Sequence, residues 1–444
     1  MPSVALVVLD TLRKDRFDEQ FDWLPGTRFE RAYAPSHYTV PSHAGLFTGH
    51  YPSETGTNAE SHEFDPPMPT LAERCREAGL TTRAFTANAN VTREFDWDRG
   101  FDHFDGAWNC RHANAEADVF EWNAFIREHS DEGPARYAKA LWACLTSDCD
   151  TLASLRHGAE IKYRTHTVED SGAREALEYV RGTDFDDEEF LFVNLMEAHA
   201  PWDPPEAYRS VDLDVHPGFE ETVRGDEIDG DRVRQAYDDS VRYLSDIYRD
   251  IYAELDAEFD HVVTCSDHGE MLGEHGIWGH GYGLYPELTH VPLVVSGLGG
   301  ADERDETVGL LDVHRTVLEL AGAVPDGGPE SATGRGRDLR EPLEPTEGVL
   351  TEYLGLNWFR RRTLAEADYA DAADFDERLY GIALDEDYYG FETLDGFRAE
   401  GSTSVADPRA RMASLVDDLT YHRGRKDGEY SEAVMEQLAD LGYA

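Results

Sequence analysis

The stretch from Val262 to Gly281 constrains the fold most strongly, because a short apolar strand there runs directly into Asp267-His268-Gly269-Glu270. The strand, His261 to Cys265, leaves a carboxylate and an imidazole side by side at its carboxyl end. Open α/β sheets place their ligand chemistry at that edge. An adjacent Asp and His suit a divalent cation, although a helix-capping Asp followed by an exposed His would give the same pair.

Two other apolar stretches also end in polar side chains. Val4 to Leu9 is typical of a buried strand and ends at Asp10, and Phe190 to Met196 is followed by Glu197 and His199. An acid at a strand tip is a candidate metal ligand.

A short helix is predicted between Pro41, which suits the first helical position, and Gly49, which suits the position after the end. Thr39 then lies just before the N-terminus of this helix. The N–H groups and partial positive charge of a helix N-terminus favour an anion there.

The chain alternates strands and helices, as where the helical pattern of Leu71 to Ala78 ends at Gly79 and Thr81 to Thr86 reads as a strand. This rhythm predicts an α/β fold with a central, mostly parallel sheet sandwiched by helices. We expect a main catalytic domain over residues 1–345 and a small C-terminal α+β subdomain over 346–444. A helical insertion is predicted at about 106–167, and a loop at 204–230.

The composition is strongly acidic, with 40 Lys and Arg against 91 Asp and Glu, a formal charge of −51. Nucleic acids and anionic membrane surfaces are therefore poor partners, and we expect no nucleic acid to bind. The scarcity of lysine among the basic residues resembles proteins of salt-loving organisms, and it predicts a halophilic, haloarchaeal-type protein. Five cysteines without metal-site or disulfide spacing, no membrane span and no signal sequence predict a cytoplasmic location.

Four stretches in order resemble the sulfatase family of the alkaline phosphatase superfamily. They are Val8-Leu9-Asp10 with Arg13, residues 39–52, Glu197 to Trp202, and Ser266 to Gly281. The resemblance implies one divalent metal ion, Ca²⁺, Mg²⁺, Mn²⁺ or Zn²⁺, held by Asp10, Thr39, Asp267 and His268. The family usually has two consecutive acids at its first site, whereas here Asp10 is followed by Thr11.

The nucleophile segment departs further from the family pattern. Sulfatases resemble one another in Cys-x-Pro-x-Arg or Ser-x-Pro-x-Arg, whose first residue becomes formylglycine, but this chain has Thr39-Val40-Pro41-Ser42-His43. Threonine cannot form that aldehyde, so no formylglycine is expected, and His43 replaces the arginine. Thr at this position resembles the branches of the superfamily that act on phosphoric esters.

The resemblance and the chemistry together suggest roles for further residues. A metal lowers the pKa of a bound hydroxyl, so the Thr39 oxygen can act as nucleophile while protons move through His199, His280 or His43. Arg13 and His290 are second candidates for contacting substrate oxygens.

The sequence therefore predicts a sulfatase-like, metal-dependent hydrolase of phosphoric or sulfuric esters, with a small-molecule or glycan anionic ester as substrate. Two alternatives remain open. One is a phosphotransferase that passes a phosphoryl headgroup to an alcohol, and the other is a non-catalytic binding protein of the same fold.

Overall fold

The computed structural model describes residues 2–59, 61–107, 110, 170–213, 216–299, 302–325, 334–357, 360–361, 364 and 372–424, with parts of 120–158. The strands are β1 Val4–Leu9, β2 Thr27–Tyr33, β3 Thr81–Thr86, β4 His103–Gly106, β5 Glu189–Leu195, β6 His261–Cys265, β7 Met271–Leu272, β8 Trp278–Gly279, β9 His290–Val291, β10 Leu293–Val295, β11 Glu303–Gly309, β12 Val349–Tyr353, β13 Leu379–Leu384, β14 Tyr388–Thr393 and β15 Gly396–Glu400. The helices are α1 Lys14–Gln20, α2 Thr39–Thr48, α3 Pro52–Thr55, α4 Leu71–Ala78, α5 Ala135–Thr146, α6 Ala173–Gly182, α7 Phe219–Arg224, α8 Gly230–Glu258, α9 Pro286–Thr289, α10 Leu310–Leu320 and α11 Pro408–Asp417.

Within the described residues, the central sheet has nine strands in the order β11-β2-β10-β6-β1-β5-β3-β4, with β9 paired to β2. Strand β1 lies between β5 and β6 and runs parallel to both. Strand β10 is antiparallel to its two neighbours. The sheet is thus mixed but mostly parallel, which confirms the predicted α/β fold.

Strand β1 shows why the sheet is covered on both faces. All six of its residues are buried, and successive side chains point to opposite faces of the sheet. Leu6 and Val8 pack into a core with residues of α2, α4 and α10. Val7 and Leu9 pack into a second core with residues of α1, α6 and α8.

Helix α2 begins at Thr39, one half-turn earlier than predicted, so the expectation that Thr39 precedes the helix was wrong. The amide of Ser42 donates to the carbonyl of Tyr38, which closes the first turn. Pro41 is tolerated because the N–H groups of the first turn have no partner within a helix. The predicted C-terminal glycine is confirmed, since Gly49 adopts a left-handed conformation with φ 69°.

The second half of the chain adds an antiparallel sheet, β12-β13-β14-β15, next to the loops around α2. Glu352 ties the two parts together: its amide donates to the Pro35 carbonyl, and its Oε2 atom accepts from the Ser53 amide at 2.9 Å. The domain boundary at residues 345 and 346 stays a prediction.

The loop predicted at 204–230 contains the short helix α7, whose first turn is capped by a hydrogen bond from the Gly218 amide to Glu221 Oε2 at 2.8 Å. Most of the predicted insertion at 106–167 lies outside the described residues, although α5 falls within it.

None of the helices in the described part of the chain is long and apolar enough to cross a membrane.

Candidate active site

The site lies at the carboxyl edge of the central sheet. Asp10 follows β1, and Asp267 and His268 follow β6. These two strands are parallel neighbours, with Val8 opposite Cys265. The carboxylates and the imidazole that follow them therefore lie close together at one edge of the sheet. Thr39 reaches the same place from the N-terminus of α2. All four side chains are fully buried.

The four side chains form one cluster. Ligand atoms of Asp10, Asp267 and His268 lie within 4.8 Å of one another. His268 Nε2 is 3.5 Å from Asp267 Oδ2 and 3.9 Å from Asp10 Oδ1. The same nitrogen lies 3.3 Å from Thr39 Oγ1. The structure thus brings together the whole ligand set that the resemblance implies.

Two asparagines that the sequence interpretation missed hold Asp10 in place. Asn88 Nδ2 donates to Asp10 Oδ2 at 2.7 Å, and Asn194 Nδ2 lies 3.4 Å from the same oxygen. Asn88 lies just beyond β3, and Asn194 is the next-to-last residue of β5. Their positions at strand ends were the available signal.

Thr11 occupies the place of the second acid in the family pattern. Its hydroxyl donates to Asp10 Oδ1 at 2.7 Å, and its amide donates to Asp267 Oδ1 at 3.3 Å. The backbone of Thr11 has φ 64°, a left-handed conformation that is costly for a β-branched residue. The strained turn therefore directs one N–H towards Asp267 and one O–H towards Asp10.

His43 lies behind the cluster and contacts Asp267. Its Nδ1 atom is 3.3 Å from Asp267 Oδ2 and 3.0 Å from the Thr39 carbonyl oxygen. Burial lowers the pKa of His43, but Asp267 outweighs burial and raises that pKa above its ordinary value. Burial likewise raises the pKa of Asp267, yet His268, His43 and the Thr11 amide lower it to about 2.

His199 and His280 complete a group of three imidazoles. The His280 ring lies 4.7 Å from the His268 ring and 5.0 Å from the His199 ring, measured between centroids. Glu270, also missed as a functional residue, lies 3.2 Å from His280 Nδ1. Burial raises the pKa of Glu270 well above its usual range and lowers the pKa of His280 and of His199.

The two candidates for substrate binding have other partners. The Arg13 guanidinium pairs with Asp15 at 2.9 Å and with Glu274 at 2.8 Å. His290 Nε2 contacts the carbonyl oxygen of Glu30 at 2.8 Å. Arg13 Nη1 also donates to the carbonyl oxygen of Glu270 at 3.0 Å, beside the buried cluster. The role of Arg13 and His290 in substrate binding stays a prediction.

The chemistry of the buried cluster fits a divalent metal ion. Two carboxylates and one imidazole converge, and all three side chains are fully buried. Two carboxylates buried close together are costly because their charges repel, whereas a divalent cation between them offsets both charges. A set of oxygen and nitrogen ligands of this kind accepts Mg²⁺, Ca²⁺, Mn²⁺ or Zn²⁺.

Fold and site together define an α/β protein with a candidate metal centre and a hydroxyl at a helix N-terminus. Residues 17–323 match the sequence model of the family described as Sulfatase. The chain belongs to the sulfatase family, which confirms the predicted family. The matched residues begin at 17 and do not include Asp10. The evidence that Asp10 belongs to the cluster therefore comes from the structure.

Named relatives agree with this family. An uncharacterised sulfatase of Escherichia coli, YidJ, is 23% identical over 321 residues, which are 67% of this chain and 61% of the relative. The choline-sulfatase of Rhizobium meliloti is 24% identical over 412 residues, covering 83% of this chain and 75% of the relative.

Among solved structures, the phosphonate monoester hydrolase of Agrobacterium radiobacter has a TM-score of 0.58 at 17% identity, and the likeness covers 94% of both chains. At this identity the likeness establishes the fold. The family match and these relatives support the predicted enzyme class, an ester hydrolase, whose activity is proposed below.

Proposed function

We propose that this protein hydrolyses phosphoric or sulfuric esters with the help of a divalent metal ion and with Thr39 as the nucleophile. The observation that carries the proposal is the position of Thr39 Oγ1, buried at the start of α2 and 3.3 Å from His268 Nε2. A hydroxyl buried beside a metal-binding imidazole and a helix N-terminus is where an oxyanion of the substrate is best stabilised.

Asp10, Asp267 and His268 would hold the metal ion, with Thr39 beside them. When bound, a divalent cation lowers the pKa of a neighbouring hydroxyl and offsets the charge of a phosphoryl group. Asn88 and Thr11 keep Asp10 oriented, and His43 does the same for Asp267. These contacts preorganise the ligands.

The proposed reaction has two steps. The deprotonated Thr39 oxygen forms a bond to phosphorus while the bond from phosphorus to the leaving oxygen breaks, which gives a phosphothreonine. A proton from His280 or His199, whose protonated form the negative charge of the bound ester favours, neutralises the leaving oxygen. Water then attacks phosphorus, its proton passes to the same imidazole, and Thr39 is released.

Phosphoric esters are favoured over sulfuric esters on chemical grounds. A formylglycine hydrate releases sulfate by elimination through its second hydroxyl, and threonine has only one hydroxyl. Attack of water at phosphorus releases a phosphothreonine without that second hydroxyl. We therefore propose that phosphoric esters are the preferred substrates. Comparable turnover of a sulfuric ester would contradict this preference.

The charge and the cysteines of the chain each support a further part of the proposal. A net charge of −51 suits a halophilic protein, because molar salt shortens the Debye length to about 3 Å and screens the repulsion. The reduced state of five cysteines fits a cytoplasmic location, and each of these thiols is free in the structure.

The direct test measures turnover of p-nitrophenyl phosphate, its bis-ester and p-nitrophenyl sulfate in concentrated KCl. Metal-stripped protein is assayed with each divalent metal, as wild type and as Thr39→Ala and Thr39→Ser. Phosphate ester turnover that needs metal, disappears in Thr39→Ala and partly returns in Thr39→Ser is expected. Equal turnover by Thr39→Ala would overturn the role of Thr39.

The same assay separates the alternatives. An added alcohol that accepts the phosphoryl group faster than water does would identify a phosphotransferase. Tight metal binding without turnover of any ester or transfer to any alcohol would leave a binding protein.

A further inference from the structure

Arg360 reaches the catalytic region from the C-terminal half of the chain. It lies shortly after β12 and beyond residue 323, where the match to the family ends. Its guanidinium carbon lies 5.9 Å from the centre of the Phe219 ring. The same carbon would lie 3.0 Å from a Cβ atom placed on Gly281, the neighbour of His280. The guanidinium is therefore packed against the backbone that carries His280.

The glycine at position 281 permits this approach. A Cβ atom there would also lie 2.5 Å from the Cβ atom of Phe219, closer than real side chains allow. The backbone that follows β8 therefore packs closely against Phe219 and Arg360. Arg360 is half-buried at this position.

The charge of Arg360 acts on the groups around the candidate metal centre. After burial, it is the largest influence on His37, and it lowers the pKa of that residue and of His280. It also stabilises the carboxylate of Glu270, whose pKa burial raises. These effects agree with the packing, because they require a cation close to the three side chains.

A cation at this position matters because the chain as a whole repels anions, with a formal charge of −51. A guanidinium presents a planar fork of donors that matches the oxygens of a phosphoryl or carboxylate group. Arg360 brings such a fork beside His280.

We propose that Arg360 determines substrate specificity by binding a second negative charge of the substrate. The inference rests on the proposed function and narrows its substrate class to phosphoric esters that carry two negative charges. The second charge belongs either to the phosphoryl group, as in a monoester, or to a carboxylate on the alcohol of a diester. Arg360 is a binding residue in this account, and Thr39 performs the covalent step.

The test compares Arg360→Gln and Arg360→Lys with the matched control Arg361→Gln. Arg361 is the adjacent arginine, and it pairs with Asp376 at 2.8 Å instead of reaching Gly281. The substrates are p-nitrophenyl phosphate, its bis-ester with one charge, and a p-nitrophenyl diester whose second alcohol carries a carboxylate. Thermal unfolding of each variant checks that the fold is retained.

In Arg360→Gln, kcat/KM for the dianionic substrate should fall roughly tenfold or more, the size expected for a lost charged hydrogen bond. The bis-ester should change less than about threefold, and Arg360→Lys should lose part of the effect. A loss confined to the monoester places the second charge on the phosphoryl group, and a loss confined to the carboxylated diester places it on the alcohol. Equal losses on all substrates, or none, would overturn the proposal.

A binding measurement keeps this inference separate from the proposed function. Calorimetry with inorganic phosphate and with dimethyl phosphate is carried out on metal-loaded wild type, Arg360→Gln and Arg361→Gln. Weaker binding of phosphate in Arg360→Gln alone supports the role of Arg360 even if no ester is turned over. Unchanged phosphate binding in Arg360→Gln, together with an unchanged kcat/KM for the carboxylated diester, would contradict it even if Thr39-dependent turnover is found.

Discussion

His43 Nδ1 lies 3.3 Å from Asp267 Oδ2, and both side chains are completely buried. The contact joins the helix that carries Thr39 to the strand end that carries the Asp-His pair. The family pattern has an arginine at the position of His43. At this position the imidazole contacts Asp267, whose carboxylate raises the pKa of His43.

Replacing His43 should weaken metal binding before it affects any chemical step. In His43→Gln, Asp267 loses the partner that orients it, and metal affinity should fall roughly 10- to 100-fold. Calorimetric titration of metal-stripped protein measures this loss. His50→Gln is the control, because the His50 ring contacts the carbonyl of Thr48 instead of Asp267. Unchanged metal affinity in His43→Gln would show that His43 does not position Asp267.

Glu270 and His280 should behave as a neutral pair. Burial raises the pKa of Glu270 and lowers that of His280, and Glu270 Oε1 lies 3.2 Å from His280 Nδ1. We therefore expect a carboxylic acid that donates to His280 Nδ1, with the ring proton on the other nitrogen. The amide of Glu270→Gln can make the same donation, and kcat should stay within about threefold, while Glu270→Ala should lose about tenfold or more. Steady-state kinetics distinguishes the two. A Gln variant as impaired as the Ala variant would show that the carboxylate form is required.

Glu352 should make stability depend on pH. Burial raises its pKa to about 7, and its Oε1 atom makes no hydrogen bond to the described residues. Above its ordinary pKa of 4.5, Glu352 has lost its proton in the unfolded chain but keeps it in the folded protein. The contribution of Glu352 to stability therefore falls as the pH rises from 4.5 to about 7.

Glu352→Gln removes this titration. Its free energy of unfolding should exceed that of the wild type by roughly 1–3 kcal/mol at pH 8 and match it at about pH 4. Denaturant unfolding at the two pH values measures the difference. Glu347→Gln, at a residue whose side chain is 80% exposed, should show no such dependence. A constant difference between Glu352→Gln and the wild type at both pH values would contradict the account.

The acidic surface should make folding depend on salt. With 91 acidic residues against 40 basic ones, repulsion in dilute buffer opposes the compact state, and KCl screens it. The midpoint of thermal unfolding should rise steeply between about 0.1 M and 2 M KCl, over which the Debye length falls from roughly 10 Å to below 3 Å. A midpoint that does not change with KCl would exclude salt adaptation.

The sequence was informative where chemistry and backbone pattern coincide. An apolar strand that ends in an acid locates Asp10 and Asp267 at one sheet edge, because parallel strands share that edge. Pro41 and Gly49 located helix α2 to within two residues. Its start was misplaced because a first turn needs no particular side chain at Thr39.

The remaining parts of the site depend on tertiary contacts that leave no local pattern. Asn88 and Asn194 are single amides whose importance comes from reaching Asp10. In the sequence, Thr11 is recognisable as the replacement of an acid that the family usually has. Its strained backbone, which directs an N–H to Asp267, is visible only in the structure. Arg360 follows β12 in the C-terminal half of the chain, and only folding brings it beside Gly281.

The central claim, that Thr39 is the nucleophile, is tested most directly by trapping the covalent intermediate. His199→Ala and His280→Ala should slow its hydrolysis, so each variant is mixed with metal and p-nitrophenyl phosphate, quenched in acid, digested and examined by mass spectrometry. The account predicts one added phosphoryl group on the peptide that contains Thr39, located on Thr39 by fragmentation and absent when Thr39→Ala is combined with either variant. Turnover without any phosphorylated Thr39, or a phosphoryl group on another residue, would contradict it.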